Sequence, residues 1–394
     1  MKILFQSRVD LYNPRGGDTF QIEKTKSAIE KLDQSIKIDI SLNLHEKNIS
    51  DYDIVHLFNI DWICETYIQA KNAKRHNKPL VVSAIHHSYK EVLDFENYAR
   101  YDIRRLYNFF ISSQPLRDVG KNVYRSFFYI KKIYPTILQV LMGIRNQQRK
   151  ILQMADIVLV QTKQETTDLI SDFGTKDFKS SIVVNGVDAE IFNKQSRSPF
   201  QKFFMEKYSI DISKKKVLLN VGRIEPRKNQ LNLIKAFEML KESKTFDDYI
   251  LIFVGDLTER SLEYIYRFNH AISKADDVYY VGPLPQHMLA SAMSQDGIYV
   301  HPSWFETTGL VSLEATLAGM TPVVSGDRVK EYLGDYGYYC DPKSPLSIKN
   351  AILKASESTK DYSSLKKRIL GEFTWDNVAL QTIAIYKSLL SKSK

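Results

Sequence analysis

The sequence predicts an α/β protein built from two successive domains, each a doubly wound parallel sheet covered by helices. Two observations carry this. Short apolar runs of strand length alternate with segments of helical periodicity, the pattern of a parallel sheet with both faces covered. That alternation also stops and restarts: a polar stretch at Asn193–Pro199 reads as a linker, and a second cycle of strands follows it. The length agrees, because 394 residues exceed one ordinary core. Hydrophobic residues make up 43% and aromatic residues 12%, which is globular rather than disordered composition.

The first cycle opens with Lys2–Gln6 (KILFQ) as a buried strand. The loop Asn13–Thr19 carries Gly16 and Gly17, and Thr19–Leu32 has helical spacing. Strands are expected at Ile36–Ser41, Asp53–Asn59 and Pro79–Ile85, with a helix at Ile63–His76. Residues 88–154 break the rhythm and read as a mainly helical insertion. Strands resume at Ala155–Gln161 and Ser181–Asn185. The second cycle places strands at Lys216–Gly222, Tyr249–Gly255, Val278–Gly282, Gly297–His301 and Thr321–Ser325. Domains are thus expected at 1–197 and 198–376, with the closing helix 377–394 returning to the first. In such sheets ligands bind outside the carboxyl ends of the strands, where the strand order reverses. The expected site lies in a cleft between the two domains.

Two cysteines, Cys64 and Cys340, stand far apart, which argues against a disulfide framework and a cysteine zinc site and favours a reducing cytoplasm. The opening MKILFQSRVD has an apolar run too short for a signal-peptide core. No window approaches the ~18 apolar residues of a membrane span. The net charge is +9 and is uneven. Residues 100–150 hold eleven Lys or Arg against two Asp, interleaved with nine Phe or Tyr, among them Tyr107, Phe109, Phe110, Phe127, Phe128 and Tyr129. Such a segment suits an anionic, partly apolar surface. It equally suits a helical subdomain whose aromatics are core and whose charges are solvated.

In the second domain, Gly222 ends a strand and Arg223 and Lys228 follow on its carboxyl-end loop (NVGRIEPRKNQ). A guanidinium fork and an ammonium point charge suit a polyanion. The helix expected at Gln230–Leu240 turns its amino end toward the same loop. Taken alone, this is also what a basic surface loop looks like. The stretch His301–Ala315 (HPSWFETTGLVSLEA) is stronger. Glu306 sits on a turn, Thr308 reads as the N-cap of a helix starting near Gly309, and Glu314 lies within that helix. Carboxylates accept bidentate hydrogen bonds from vicinal hydroxyls. The Gly309 and Leu310 amides can meet phosphate or sugar oxygens. The plainer reading is a loop Glu and a helix-surface Glu. Asp51-Tyr52-Asp53 has the Asp-x-Asp pattern of a cation site but precedes a strand, at the amino end of the sheet. It reads as a turn, and no metal is expected.

Together these segments resemble family 4 of the glycosyltransferases, enzymes of the GT-B fold: two Rossmann-like doubly wound domains facing across a cleft. Asn185-Gly186-Val187-Asp188 before Phe192 resembles the family's end-of-first-domain motif, and Val221–Asn229 (VGRIEPRKN) its phosphate loop. Glu306 and Glu314 resemble its donor motif, and Phe373-Thr374-Trp375 its closing segment. The resemblance implies that Arg223 and Lys228 hold a donor diphosphate and stabilise its departure. It implies that Glu314 binds the ribose, and that Glu306, beside Thr308, Gly309 and Leu310, contacts the transferred sugar. Gly16 and Gly17 would let the first domain's loop approach donor and acceptor. The family places a His after the fourth strand; His86 and His87 both fit, and the choice stays open.

The leading expectation is therefore a retaining hexosyltransferase that uses a nucleotide diphosphate sugar and no other cofactor. Its acceptor would be a saccharide or lipid-linked saccharide, as in bacterial surface-polysaccharide or glycoconjugate assembly. Residues 100–150 would meet an anionic membrane, making the protein cytoplasmic and peripheral at the inner membrane face. Two alternatives differ in class. An epimerase of the same fold would convert the donor without an acceptor. A non-catalytic basic protein would bind membrane or nucleic acid; nucleic acid is not expected, because the basic residues lie in the insertion and the site motifs lie elsewhere.

Overall fold

The computed structural model describes residues 1–13, 16–61, 63–99, 114–193, 195–258 and 261–392. The chain divides into two compact units. The first comprises Met1–Lys90, Phe110–Gly186 and Phe373–Lys394; the second comprises Glu91–Phe109 and Val187–Glu372. The division after Gly186 comes earlier than the expected 197. The insertion expected in the first domain is shared, because Glu91–Phe109 groups with the second unit.

The first unit holds strands β1 (Lys2–Gln6), β2 (Lys37–Ser41), β3 (Ile54–Phe58), β4 (Leu80–Ser83), β5 (Ile157–Val160) and β6 (Ser180–Ile182). They form one parallel sheet in the order β2-β1-β3-β4-β5-β6. Alternation along β1 serves both faces. Ile3 and Phe5 pack with the Gly17–Leu32 helix and the closing helix, whereas Leu4 packs with Val55 and Leu57 on the opposite face. The Gly17–Leu32 helix starts two residues before the expected Thr19, so Gly17 is its first residue and Gly16 its N-cap. The closing helix runs Trp375–Lys392 and buries Trp375, Val378, Ala379, Ile383 and Tyr386 in the first unit's core. Tyr386 Oη sits 2.6 Å from His56 Nδ1, whose Nε2 is 2.9 Å from Ser83 Oγ. A Cβ on Gly186 would stand 2.4 Å from the Trp375 backbone nitrogen, so only glycine lets these two chain segments touch.

The insertion is helical where it is described, at Tyr89–Tyr98, Gln114–Ser126, Ile133–Met142 and Ile144–Met154. Arg100, Tyr107, Phe109 and Phe110 lie outside the described residues. Among the described residues no helix is long and apolar enough to cross a membrane.

The second unit holds β7 (Lys216–Val221), β8 (Tyr249–Val254), β9 (Val278–Gly282), β10 (Gly297–His301), β11 (Thr321–Val324) and β12 (Tyr338–Tyr339). The order is β12-β11-β10-β7-β8-β9, all parallel. β12 was not expected: two residues leave no periodicity to read. The strand order reverses between β7 and β10, and that topological switch point fixes where a ligand site forms.

Candidate functional site

The carboxyl ends of β7 and β10 carry the two segments that the sequence singled out. Gly222 leaves β7 at φ 153°, a conformation that favours glycine. Gln230 Nε2 donates to the Arg223 carbonyl at 2.9 Å, and Asn229 Nδ2 donates to the carbonyls of Pro302 (3.1 Å) and Pro342 (2.7 Å). Trp304 N donates to the Arg227 carbonyl at 2.9 Å. These bonds stitch the loop after β7 to the loop after β10, so side chains 78 residues apart meet.

Lys228 Nζ donates to Glu306 Oε1 at 2.5 Å. His301 Nε2 is 3.0 Å from the same oxygen and 3.3 Å from Lys228 Nζ, and Arg227 NH1 is 3.7 Å from Glu306 Oε1. Lys228, His301 and Arg227 thus all meet Glu306 at Oε1. Burial alone would push the Glu306 carboxyl up; Lys228, then Arg227 and His301, overcome this and hold it well below the usual range. Burial, then the Arg227 charge, lowers Lys228 from its ordinary value, and Glu306 opposes them. Burial, then Lys228, likewise lowers His301. Glu306 is therefore ionised and His301 neutral near pH 7.

Arg227 was missed by sequence reasoning, although it adjoins Lys228. It binds Glu225 Oε1 through NH2 (3.1 Å) and Nε (3.2 Å), donates to the Phe305 carbonyl (3.2 Å), and lies over the Phe305 ring. Arg223 is the opposite case, an exposed side chain with one long contact, 3.5 Å, to Glu225 Oε1. Three cations (Arg223, Arg227, Lys228) stand against two carboxylates (Glu225, Glu306) on these loops. The surplus is positive.

Thr308 is not the expected cap. The helix is Leu310–Ala318, its N-cap is Gly309 at φ 61°, and Thr308 is buried. A Cβ on Gly309 would approach Val329 Cγ2 to 2.9 Å, so a side chain fits neither the backbone nor the space. Glycine here turns the amino end of that helix, beginning with the Leu310 amide, toward the strand ends. Glu314 lies half-buried within the same helix. Glu306 and Glu314 both raise the buried Tyr299 hydroxyl, after burial itself.

In the first unit the structure separates the two histidines. His86 was a candidate to meet a sugar hydroxyl; instead it is fully buried, with Nδ1 2.6 Å from Asp61 Oδ1 and Nε2 2.9 Å from Asp172 Oδ2. Burial would lower it, but Asp61 and Asp172 raise it to about 9. It is an imidazolium locked between two carboxylates. Ile85, at φ 49°, makes the turn that sends His86 inward. His87 is half-buried and donates its backbone N–H to Asp61 Oδ2 at 3.0 Å.

Gly16 and Gly17 take no left-handed backbone, and nothing crowds Gly17. The loop after β1 is shaped instead by ion pairs that the sequence did not disclose. Buried Arg8 binds Asp18 (Nε to Oδ2, 2.8 Å) and Asp10 (NH1 to Oδ1, 3.0 Å). Lys132, from the insertion, is 3.1 Å from Asp10 Oδ2 and 3.2 Å from Glu65 Oε1. Asp53 accepts the Lys2 backbone N–H at 2.7 Å, at the amino end of the sheet.

Residues 202–370 match the family model described as Glycosyl transferases group 1. Among curated proteins, the chain is 29% identical over 175 residues to O-antigen chain mannosyltransferase B of Escherichia coli, covering 43% of this chain and 45% of that protein. It is 24% identical over 249 residues to D-inositol 3-phosphate glycosyltransferase of Corynebacterium diphtheriae, covering 61% and 57%. The aligned stretches thus span about half the length of these relatives. Among solved structures, sucrose-phosphate synthase from Thermosynechococcus elongatus matches with TM-score 0.71 at 15% identity over 100% of both chains. Anabaena HepE in complex with UDP matches with TM-score 0.69 at 15% identity, over 98% of this chain and 100% of that one. These likenesses show the fold, GT-B, with its two parallel six-stranded α/β units.

Proposed function

We propose that this protein transfers a hexosyl group, with retention, from a nucleotide diphosphate sugar to a saccharide or lipid-linked saccharide acceptor. The observation that carries this reading is the cluster at the β7/β10 switch point. There Lys228 pairs with Glu306, Arg223 lies exposed on the same loop as Lys228, and the Leu310–Ala318 helix that carries Glu314 follows the loop of Glu306. In the reaction the bond between the sugar's anomeric carbon and the diphosphate breaks, and its electron pair leaves with the diphosphate. The acceptor oxygen forms the new bond and passes its proton to an oxygen of the departing diphosphate. Negative charge grows on the departing diphosphate, and cations that donor binding draws to it lower the barrier. Arg223 is exposed and only weakly held, so it is available to a phosphate oxygen. Lys228 reaches the same place by shifting from Glu306. Glu314 suits the vicinal hydroxyls of a ribose, and the oxygen Oε2 of Glu306 suits a sugar hydroxyl. The cations take the part that a metal plays in other transferases, so turnover is expected to survive chelation.

Relatives support the donor and the pathway class. One structural neighbour holds UDP-glucose, and one relative is named as an O-antigen chain mannosyltransferase. We assign the acceptor side to the first unit and the pathway to surface-polysaccharide or glycoconjugate assembly at the inner membrane face. The test is release of nucleoside diphosphate from a panel of nucleotide sugars, with and without lipid-linked oligosaccharide. Acceptor-dependent release supports the reading. Conversion of the donor alone to an isomeric sugar identifies an epimerase, and nucleic-acid binding without release identifies the binding protein.

A further inference from the structure

The Ile133–Met142 helix is turned inside out. Its polar residues Thr136 and Gln139 are buried, and Ile133, Ile137, Val140 and Leu141 are exposed, Leu141 by 77%. The buried polar side is paired with the Gln114–Ser126 helix: Asn122 Nδ2 donates to Gln139 Oε1 at 2.9 Å, and Ser126 Oγ lies 2.7 Å from Thr136 Oγ1. That second helix likewise exposes Leu116, Val123 and Tyr124, and the turn joining the two exposes Phe127 (81%), Phe128 and Ile130 (82%). Two helices thus meet through hydrogen bonds and turn their apolar sides outward, the reverse of a water-soluble pair.

We propose that this outward face is an interfacial membrane-docking surface, with Phe127, Phe128 and Ile130 entering the headgroup–acyl boundary of an anionic bilayer. The proposal rests on the acceptor side of the function above and gives it a surface. Charge selects the occupant. From 119 to 155 the sequence has no Asp or Glu, while Lys131, Arg145, Arg149 and Lys150 are exposed there. An apolar surface on a segment that carries cations and no carboxylate from 119 to 155 suits anionic lipid. The basic residues are fewer than the sequence count implies, because Arg117 and Lys132 are buried and Lys132 is committed to Asp10 and Glu65. Insertion of apolar side chains therefore carries the binding, with charge as the lesser part. The same Lys132 contacts fasten the docking face to the loop after β1, within one unit.

The experiment is flotation of the full chain with phosphatidylcholine vesicles, with and without phosphatidylglycerol, at low and high salt. Wild type is expected to float with both, more strongly with phosphatidylglycerol, and to keep most of its binding at high salt. The triple variant Phe127→Ser, Phe128→Ser, Ile130→Ser should lose partitioning at least about ten-fold at unchanged Tm, because these side chains have little packing to lose. Wild type that fails to float with phosphatidylglycerol vesicles would overturn the proposal, and so would a triple variant that floats normally. Binding abolished by salt overturns the insertion claim. A dimer that the triple variant dissociates assigns the face to a second copy instead. Flotation needs no sugar transfer, so a floating protein without transferase activity counts against the transferase reading alone.

Discussion

Lys228 Nζ and Glu306 Oε1 lie 2.5 Å apart, joining the loop after β7 to the loop after β10. The pair is largely buried, and removing one partner leaves the other desolvated. Lys228→Ala is expected to destabilise the protein by about 3–5 kcal/mol. The double variant Lys228→Met/Glu306→Leu should recover most of that loss, because no lone charge remains. Urea denaturation of the three proteins checks this. Equal stability of the single and double variants contradicts it.

Gly309→Ala forces a side chain into a left-handed backbone and onto Val329 Cγ2. The backbone cost is about 1–2 kcal/mol. Adding Val329→Ala should relieve the contact but not the backbone strain. Thermal unfolding gives the stability, and donor titration should show weaker binding in both variants, because the amino end of the Leu310–Ala318 helix is displaced.

His86 and His56 predict opposite pH dependences. His86 is raised to about 9 by Asp61 and Asp172 against burial, so its stabilisation is complete below its unfolded value near 6.5 and is lost as pH rises through 9. The effect is on the order of 3 kcal/mol. His56 is lowered by burial to about 3, so its neutral form loses stability as pH falls below 6.5 toward 3. Tm should therefore fall on both sides of neutrality. His86→Gln should flatten the alkaline limb between pH 7 and 9 and leave the acid limb unchanged. An unaltered alkaline limb contradicts the ion-pair assignment.

Tyr386→Phe removes the hydroxyl that meets His56 Nδ1 and leaves a buried nitrogen unpaired. The expected cost is about 1–3 kcal/mol, read by chemical denaturation. The closing helix should become the first segment to exchange its amide hydrogens. Unchanged protection across 375–392 would show that the helix is held by its apolar side alone.

Strand-length apolar runs made both sheets legible, and Gly222 and Gly309 stood where the chain turns. Contacts between distant residues were not legible. Lys228 and Glu306 meet only because β7 lies beside β10, a strand order that no local pattern carries. The bond between His86 and Asp172 has the same origin: it holds a candidate site residue between two carboxylates. Thr308 failed as a cap because a left-handed glycine starts the helix just after it. Counting charges failed at Arg117 and Lys132, which are buried although composition placed them on a surface.

Arg223 offers the most direct test of the central claim, because it is exposed and its one long contact, at 3.5 Å to Glu225, contributes little to folding. The measurement is acceptor-dependent release of nucleoside diphosphate by Arg223→Ala against wild type, at matched Tm. A fixed donor to the departing phosphate is worth about 100-fold or more in rate, so turnover should fall by that factor. Turnover equal to wild type would contradict a diphosphate held at the β7/β10 switch point.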